Sequence, residues 1–216
     1  MEDTYLFKLK RQQVKMIMAR GYNVDHELWM MDPDVTVKKF IKTLKDKYGE
    51  YPTRKLMYGE YEHPNKPRAL FVSFALNNGK KVTVDEVTPF FFKITEENKD
   101  GLLIINSTLS PAASECNSVI TEHEYQIMQE EDLLYDVIEH IGVPKHTMLT
   151  TKQADLLKEQ LGLTNKNLSY LLNTDAVCQY YNFPVGSIIK VETKPDLNIM
   201  CQKLINYRIV VKRNDQ

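Results

Sequence analysis

Val143-Pro144-Lys145-His146-Thr147-Met148-Leu149-Thr150 opens a C-terminal module that closes on Asn206-Tyr207-Arg208-Ile209-Val210-Val211. Proline disfavours helical geometry in the residue before it, so Val143 to Leu149 reads as a connecting segment. Thr150 and Gln153 have capping-box spacing, in which side chains satisfy loose backbone groups at a helix start. A short amphipathic helix is expected next, with Ala154, Leu157 and Leu161 at helical spacing and Gly162 as a left-handed stop. Thr164 can cap a second helix carrying Leu168, Leu171 and Leu172, and Asp175 a third that ends near Tyr180-Tyr181-Asn182. Asn182 tolerates the positive φ that glycine usually supplies. Gly186 then turns the chain into the β-branched strand Ser187 to Val191, which Lys194-Pro195-Asp196 breaks, and Ile205 to Val211 reads as a second strand. Three short helices against a small sheet of two or more strands are expected.

The N-terminal region has a different pattern. Val14, Ile17 and Met18 mark the inner stripe of a helix from Tyr5 to Arg20, with charge from Lys8, Lys10, Arg11, Lys15 and Arg20. A second helix from Asp34 to Tyr48 buries Val37, Phe40, Ile41 and Leu44, presents Lys38, Lys39, Lys42, Lys45 and Lys47, and ends at Gly49. Period 3.6 then gives way to short strands. Leu70 to Phe74 reads as a strand, Asn77-Asn78-Gly79 as its turn, Phe90 to Ile94 as a buried strand, and Lys99-Asp100-Gly101 as the turn into a strand from Leu102 to Asn106. Ser110-Pro111 suits an N-cap and first helical residue for a segment reaching Cys116, and Tyr125 to Met128 suits a last strand. The expected fold is α+β overall: an α/β domain over residues 1–142, with Phe90 to Ile94 and Leu102 to Asn106 at its sheet centre, and a small α+β domain over 143–216. The hinge is expected near Ile138 to Val143.

Composition restricts the function classes. The chain has 216 residues, 43% hydrophobic, enough for two modest cores. No apolar run approaches the roughly 18 residues that span a bilayer, and Met1-Glu2-Asp3-Thr4 lacks the start of a signal peptide. Cys116, Cys178 and Cys201 are isolated and odd in number, which favours reduced thiols. A net charge of -1 means that any nucleic-acid contact must come from a local patch.

The Val-Pro-Lys-His-x-x-Leu-Thr opening, the Leu-rich helix ending at Gly162, Asp175-x-x-x-x-Tyr180-Tyr181, Gly186-x-Ile188-Ile189-Lys190-Val191 and the terminal Tyr207-Arg208 resemble the C-terminal assembly domain of the fifth subunit of eukaryotic nuclear RNA polymerases. The archaeal counterpart of that subunit consists of little more than this domain. Weaker likenesses lie upstream, at Arg20-Gly21-Tyr22, at Pro89 to Ile94 and at Asn106 to Pro111, where the eukaryotic subunit has a jaw domain. Ala176 stands where the family usually has proline and Val185 where it has a basic residue, and the segment from 192 to 206 diverges. The resemblance implies a non-catalytic polymerase subunit docked on the largest subunit, with its N-terminal domain in the lower jaw near downstream duplex DNA. It implies a nuclear location, or a virion or host cytoplasm if a large DNA virus encodes the chain. Pro144, Lys145, His146, Tyr207 and Arg208 become candidate subunit-interface residues. Lys38, Lys39 and Lys42 become candidates for phosphate contact, against the plainer reading of a solvated helix face. His146 could titrate near neutral pH or, as is commoner, order its loop through a local hydrogen bond. Tyr180 and Tyr181 read as one core and one surface aromatic. A freestanding adaptor that recruits a polymerase or regulator through an assembly-like domain is the rival from another class.

Enzymatic signatures are weak. No Gly-x-Gly-x-x-Gly, Walker-type loop or Gly-x-Ser-x-Gly elbow occurs, and the cysteines lack paired zinc spacing, so no cofactor, metal, small-molecule substrate or catalytic residue is expected. His123-Glu124 begins a zincin-like pattern, but Ile127 replaces the second histidine. Asp85 with Glu97-Asn98-Lys99 has the residue types of a nuclease metal site, in a polar turn rather than on a strand.

Overall fold

A computed structural model describes residues 2–75, 81–116, 123–193 and 204–213. The chain divides into two compact units, Met1–Tyr135 and Asp136–Gln216. Both mix helix and sheet, in agreement with the α+β reading. The division lies N-terminal to the expected start at Val143.

In the first unit, helix α1 spans Glu2–Ala19 and α2 spans Val37–Tyr48. Gly49 stops α2 in the left-handed region at φ 74°. Strand β1 is Gly59–Tyr61 and β2 is Leu70–Phe74; α3 is Val84–Glu96, β3 is Asp100–Ile105 and α4 is Pro111–Cys116. Strand β4, Tyr125–Gln129, leads into α5, Glu130–Leu134. The sheet order is β1-β2-β3-β4, with β1 antiparallel to β2 and β2, β3 and β4 parallel. β3 is buried along its whole length, as expected of a central parallel strand. Asn98, at φ 50°, makes the turn into it, so Asp100 and Gly101 belong to the strand rather than to the turn. The expected strand Leu70 to Phe74, the Ser110-Pro111 helix start and the last strand at Tyr125 are all present. The Asn77-Asn78-Gly79 turn lies outside the described residues.

Phe90 to Ile94 is helix α3, not a strand. Val87, Phe90, Phe91 and Ile94 are buried together with Phe71, Leu103 and Ala113, whereas Phe92 is 61% exposed. This is i, i+3, i+4, i+7 spacing, which only a helix brings to one face. Thr83 and Glu86 form its capping box, with the Thr83 N–H donating to Glu86 Oε2 at 2.7 Å. Pro89 within the helix costs about 3 kcal/mol. Full burial of four large apolar side chains at about 1.5–3 kcal/mol each outweighs it. Gly101 on β3 permits this packing, since a Cβ there would stand 2.5 Å from the Phe90 ring.

α1 buries Leu6, Phe7, Leu9, Val14, Met16 and Ile17, while Met18, expected on the inner stripe, is 44% exposed. Lys10, expected in solvent, is 3% exposed and pairs with Glu27 Oε1 at 2.7 Å. Its Nζ also donates to the Met57 carbonyl at 3.1 Å and to Tyr61 Oη at 3.2 Å. Tyr61 in turn donates to Glu27 Oε2 at 2.5 Å, and Gln13 donates to Tyr61 at 3.0 Å. Burial lowers the Lys10 pKa against the opposing pull of Glu27; burial, then Glu27, raises that of Tyr61 well above its usual value. A second buried carboxylate, Glu130 at the start of α5, accepts from Arg54 Nε at 2.7 Å and from the Tyr5 hydroxyl at 2.9 Å. Burial and that carboxylate push the Tyr5 phenol up to about 12.

In the second unit, β5 is Lys145–Met148, α6 Thr151–Leu161, β6 Ser169–Leu172, α7 Ala176–Tyr181, β7 Ile188–Glu192 and β8 Ile205–Val211. The sheet order is β5-β7-β8-β6, antiparallel except for the β6–β8 pair. The Thr150–Gln153 capping box, the Gly162 stop at φ 61°, the Asp175 cap on the Val177 N–H at 2.9 Å, Asn182 at φ 53° and the strand Ile205–Val211 all match the sequence reading. Two elements differ from it. The segment after Val143 is strand β5, because extended geometry before and after Pro144 leaves the chain free to pair with β7. Thr164 begins a single 3-10 turn, Asn165–Asn167, with its hydroxyl donating to Asn167 Oδ1, and the expected second helix is strand β6. Leu168 packs with Ala154, Ile188 and Ile209, and Leu171 with Cys178, Ile189 and Val210. Residues three apart face opposite ways in an extended chain and the same way in a helix, so a sheet buried on both sides selects the strand. α6 covers one face and α7 the other.

Removing one partner of a buried ion pair leaves an uncompensated charge, at a cost of about 3–5 kcal/mol. Chemical denaturation of E27A should show a loss of that size for the first unit. The apolar double variant K10M/E27L should lose distinctly less; equal losses would mean the pair itself is unimportant.

Candidate interaction site

The candidate residues of the second unit sit on adjacent strands, and strand geometry separates them. Successive side chains alternate between faces. Lys145 and Tyr207 point to the α6 side, where they line a groove of about 470 Å³ with Thr147, Leu156, Lys190 and Glu192. His146 and Arg208 lie on the α7 side, since His146 pairs with Val191 and Arg208 with Ile189, both members of the core beneath α7. Pro144 precedes β5 and offers its carbonyl to His146. The five residues therefore form two surfaces rather than one.

On the α6 side, Lys190 is paired with Glu192 at 3.1 Å. Lys145 is exposed at the sheet edge and has no ion pair among the described residues. Leu156 is 55% exposed at the groove wall. On the α7 side, the His146 ring lies 2.8 Å from the Pro144 carbonyl through Nδ1, a local contact at the head of β5. Burial lowers the His146 pKa despite that hydrogen bond and the field of Asp175. The Arg208 Nε is buried with no hydrogen-bond partner among the described residues. A guanidinium with an unmet donor is chemically suited to a carbonyl or carboxylate. Tyr180 is buried, and Tyr181 is half-buried and stacked on Phe183 at 15°.

In the first unit, Lys38, Lys39 and Lys42 are exposed on α2. The α1 cations are largely engaged within the fold: Lys10 as above, Arg11 on the Met31 and Asp32 carbonyls, and Arg20 on Gln126 at 2.8 Å. The densest exposed basic row is on α2, with Lys8 of α1 also exposed. Asp85 lies in the first turn of α3 and Glu97 follows its end, about 18 Å apart along the axis, and Lys99 is bound to Glu60 at 2.6 Å and Glu97 at 2.5 Å. The nuclease-like set is not assembled. His123 Nδ1 sits 3.0 Å from the Lys99 carbonyl. Among the described residues, no three His, Cys, Asp or Glu side chains group to hold a metal ion, and no helix is long and apolar enough to cross a membrane.

A histidine whose folded pKa is depressed contributes stability above its unfolded value, near 6.5, and that contribution is lost as pH falls below it. Lowering the pH from 7 to 5 should therefore destabilise the second unit, and H146Q should flatten this dependence in thermal melts followed at both pH values. An identical pH profile in the variant would show that His146 does not carry the dependence.

A profile of the family described as RNA polymerase Rpb5, C-terminal domain, matches residues 135–210. The chain is 26% identical over 203 residues to "DNA-directed RNA polymerases IV and V subunit 5B" of Arabidopsis thaliana, covering 93% of this chain and 87% of that protein. It is 22% identical over 214 residues to "DNA-directed RNA polymerases I, II, and III subunit RPABC1" of Caenorhabditis briggsae, covering 97% of each. Together these similarities support the family resemblance carried by the stretch from Val143 onward, that of an Rpb5-type polymerase subunit, with its C-terminal domain at residues 135–210.

Proposed function

We propose that this chain is a non-catalytic subunit of a DNA-directed RNA polymerase. The observation that carries the reading is the coincidence of the family match at residues 135–210 with the compact unit Asp136–Gln216, together with similarity along nearly the whole chain to relatives named as polymerase subunits. In this reading the second unit docks on the largest subunit through the surfaces around Lys145 and Tyr207 and around His146 and Arg208. The first unit stands in the lower jaw, where the exposed α2 lysines face phosphates of downstream duplex DNA. Nucleotidyl transfer belongs to the large subunits and their magnesium. The chain contributes assembly, jaw stiffness and a local positive wall, in the nucleus.

Affinity purification of the tagged chain should recover the large polymerase subunits in stoichiometric amount. A predominantly free pool would favour an adaptor and contradict the subunit reading. R208A should lower incorporation, and co-purification at the wild-type level would remove Arg208 from the interface. Reversing Lys38, Lys39 and Lys42 to Glu should reduce the salt dependence of downstream-DNA binding by the assembled enzyme, by about 0.9 in logarithmic slope per lost phosphate contact. An unchanged slope would show that these lysines form an ordinary solvated face.

A further inference from the structure

We propose that the outer edge of β5 receives an added strand from the polymerase subunit on which the chain docks, and that this strand carries an acidic residue opposite Lys145 and an apolar residue directed into the α6 groove. The proposal rests on the subunit reading and names the chemistry of its docking surface.

The direction of the β5 backbone groups follows from the ladder. The Leu149 N–H donates to the Ile188 carbonyl at 2.9 Å, and the register pairs Lys145 with Glu192 and Thr147 with Lys190. On the other side of β7, the Val210 N–H donates to the Ser187 carbonyl at 3.0 Å, which fixes Ile189 and Val191 as the residues bonded to β8. Alternation along an antiparallel pair then turns Lys145, Thr147 and Leu149 toward β7, and the N–H and C=O groups of His146 and Met148 outward. Since β5 ends the sheet order, no strand lies beyond it among the described residues. An exposed row of this kind is a template for an extended segment, with backbone bonds supplying affinity and alternate side chains supplying specificity.

The flanking side chains select the occupant. Inward-bonded Lys145 and Thr147 place their side chains on the α6 side, beside the 470 Å³ groove and exposed Leu156. Alternate residues of an added strand project to that same side, so one of them can fill the groove and another can meet Lys145. Lys190 is already neutralised by Glu192, which leaves Lys145 as the edge charge and makes a carboxylate its complement. A second copy would bring the same Lys145-bearing edge rather than the carboxylate that Lys145 calls for, so the charge favours a different chain as the added strand.

The test compares site-resolved hydrogen exchange in the full-length free chain and in the chain within purified polymerase. The His146 and Met148 amides should exchange rapidly in the free chain and lose that rapid exchange in the complex, while Thr147 and Leu149 are protected in both. M148P removes one outward donor without touching a bond to β7 and should reduce incorporation far more than M148A; wild-type incorporation of M148P overturns the proposal. An incorporated chain whose 146 and 148 amides stay unprotected also overturns it and leaves the subunit reading intact. Absence of the chain from polymerase overturns both. Protection that arises in the free chain and grows with its concentration assigns the edge to a second copy and overturns the proposal as well.

Discussion

A four-stranded sheet covered on both faces imposes the constraint on which the C-terminal architecture depends. With α6 on one side and α7 on the other, the inner strands must supply apolar residues both ways, as Ile188 and Ile189 of β7 do in succession. The same alternation divides the exposed sequence motifs. Lys145 and Tyr207 are bound to one surface, and their chain neighbours His146 and Arg208 to the opposite one. A partner that engages both pairs must therefore wrap the β5 end of the sheet or contact the domain at two places. The free β5 edge lies between those two surfaces, which makes it the natural continuation of either.

The N-terminal unit is organised around buried charge as well as apolar packing. Lys10, Glu27, Tyr61 and Gln13 join α1, the 3-10 turn Asp25–Met31 and β1, and Glu130 joins α1, the turn Arg54–Met57 and α5 through Tyr5 and Arg54. Such groups are costly to bury alone and tolerable when mutually bonded, so each element is held in one register by the partners it must satisfy. The same bonding also neutralises Lys10 of α1 against Glu27, while Lys38, Lys39 and Lys42 stay exposed on α2.

Legibility in the sequence followed how local the deciding interactions were. Caps and left-handed stops depend on a few adjacent residues, and Thr150–Gln153, Gly162, Asp175, Asn182 and Gly186 were readable for that reason. Three consecutive phenylalanines resembled a strand, although the spacing of Val87, Phe90, Phe91 and Ile94 already contained the helical signal. Leu168, Leu171 and Leu172 resembled a helix because only the two-sided burial of the finished sheet decides otherwise. The burial of Lys10 was not readable, since its carboxylate comes from a distant 3-10 turn and its carbonyl partner from Met57. At the candidate site the residue types were legible and their separation onto two faces was not, because Val143 to Leu149 reads as a connection until β7 is seen beside it.

We propose that in its working state the second unit is covered by a larger polypeptide while α2 is left open for DNA. Lysine acetylation footprinting of the free chain and of the DNA-free polymerase particle addresses it directly. Lys145 and Lys190 should be shielded in the particle, while Lys38, Lys39 and Lys42 react as they do in the free chain. Equal labelling of Lys145 and Lys190 in both states would contradict the claim.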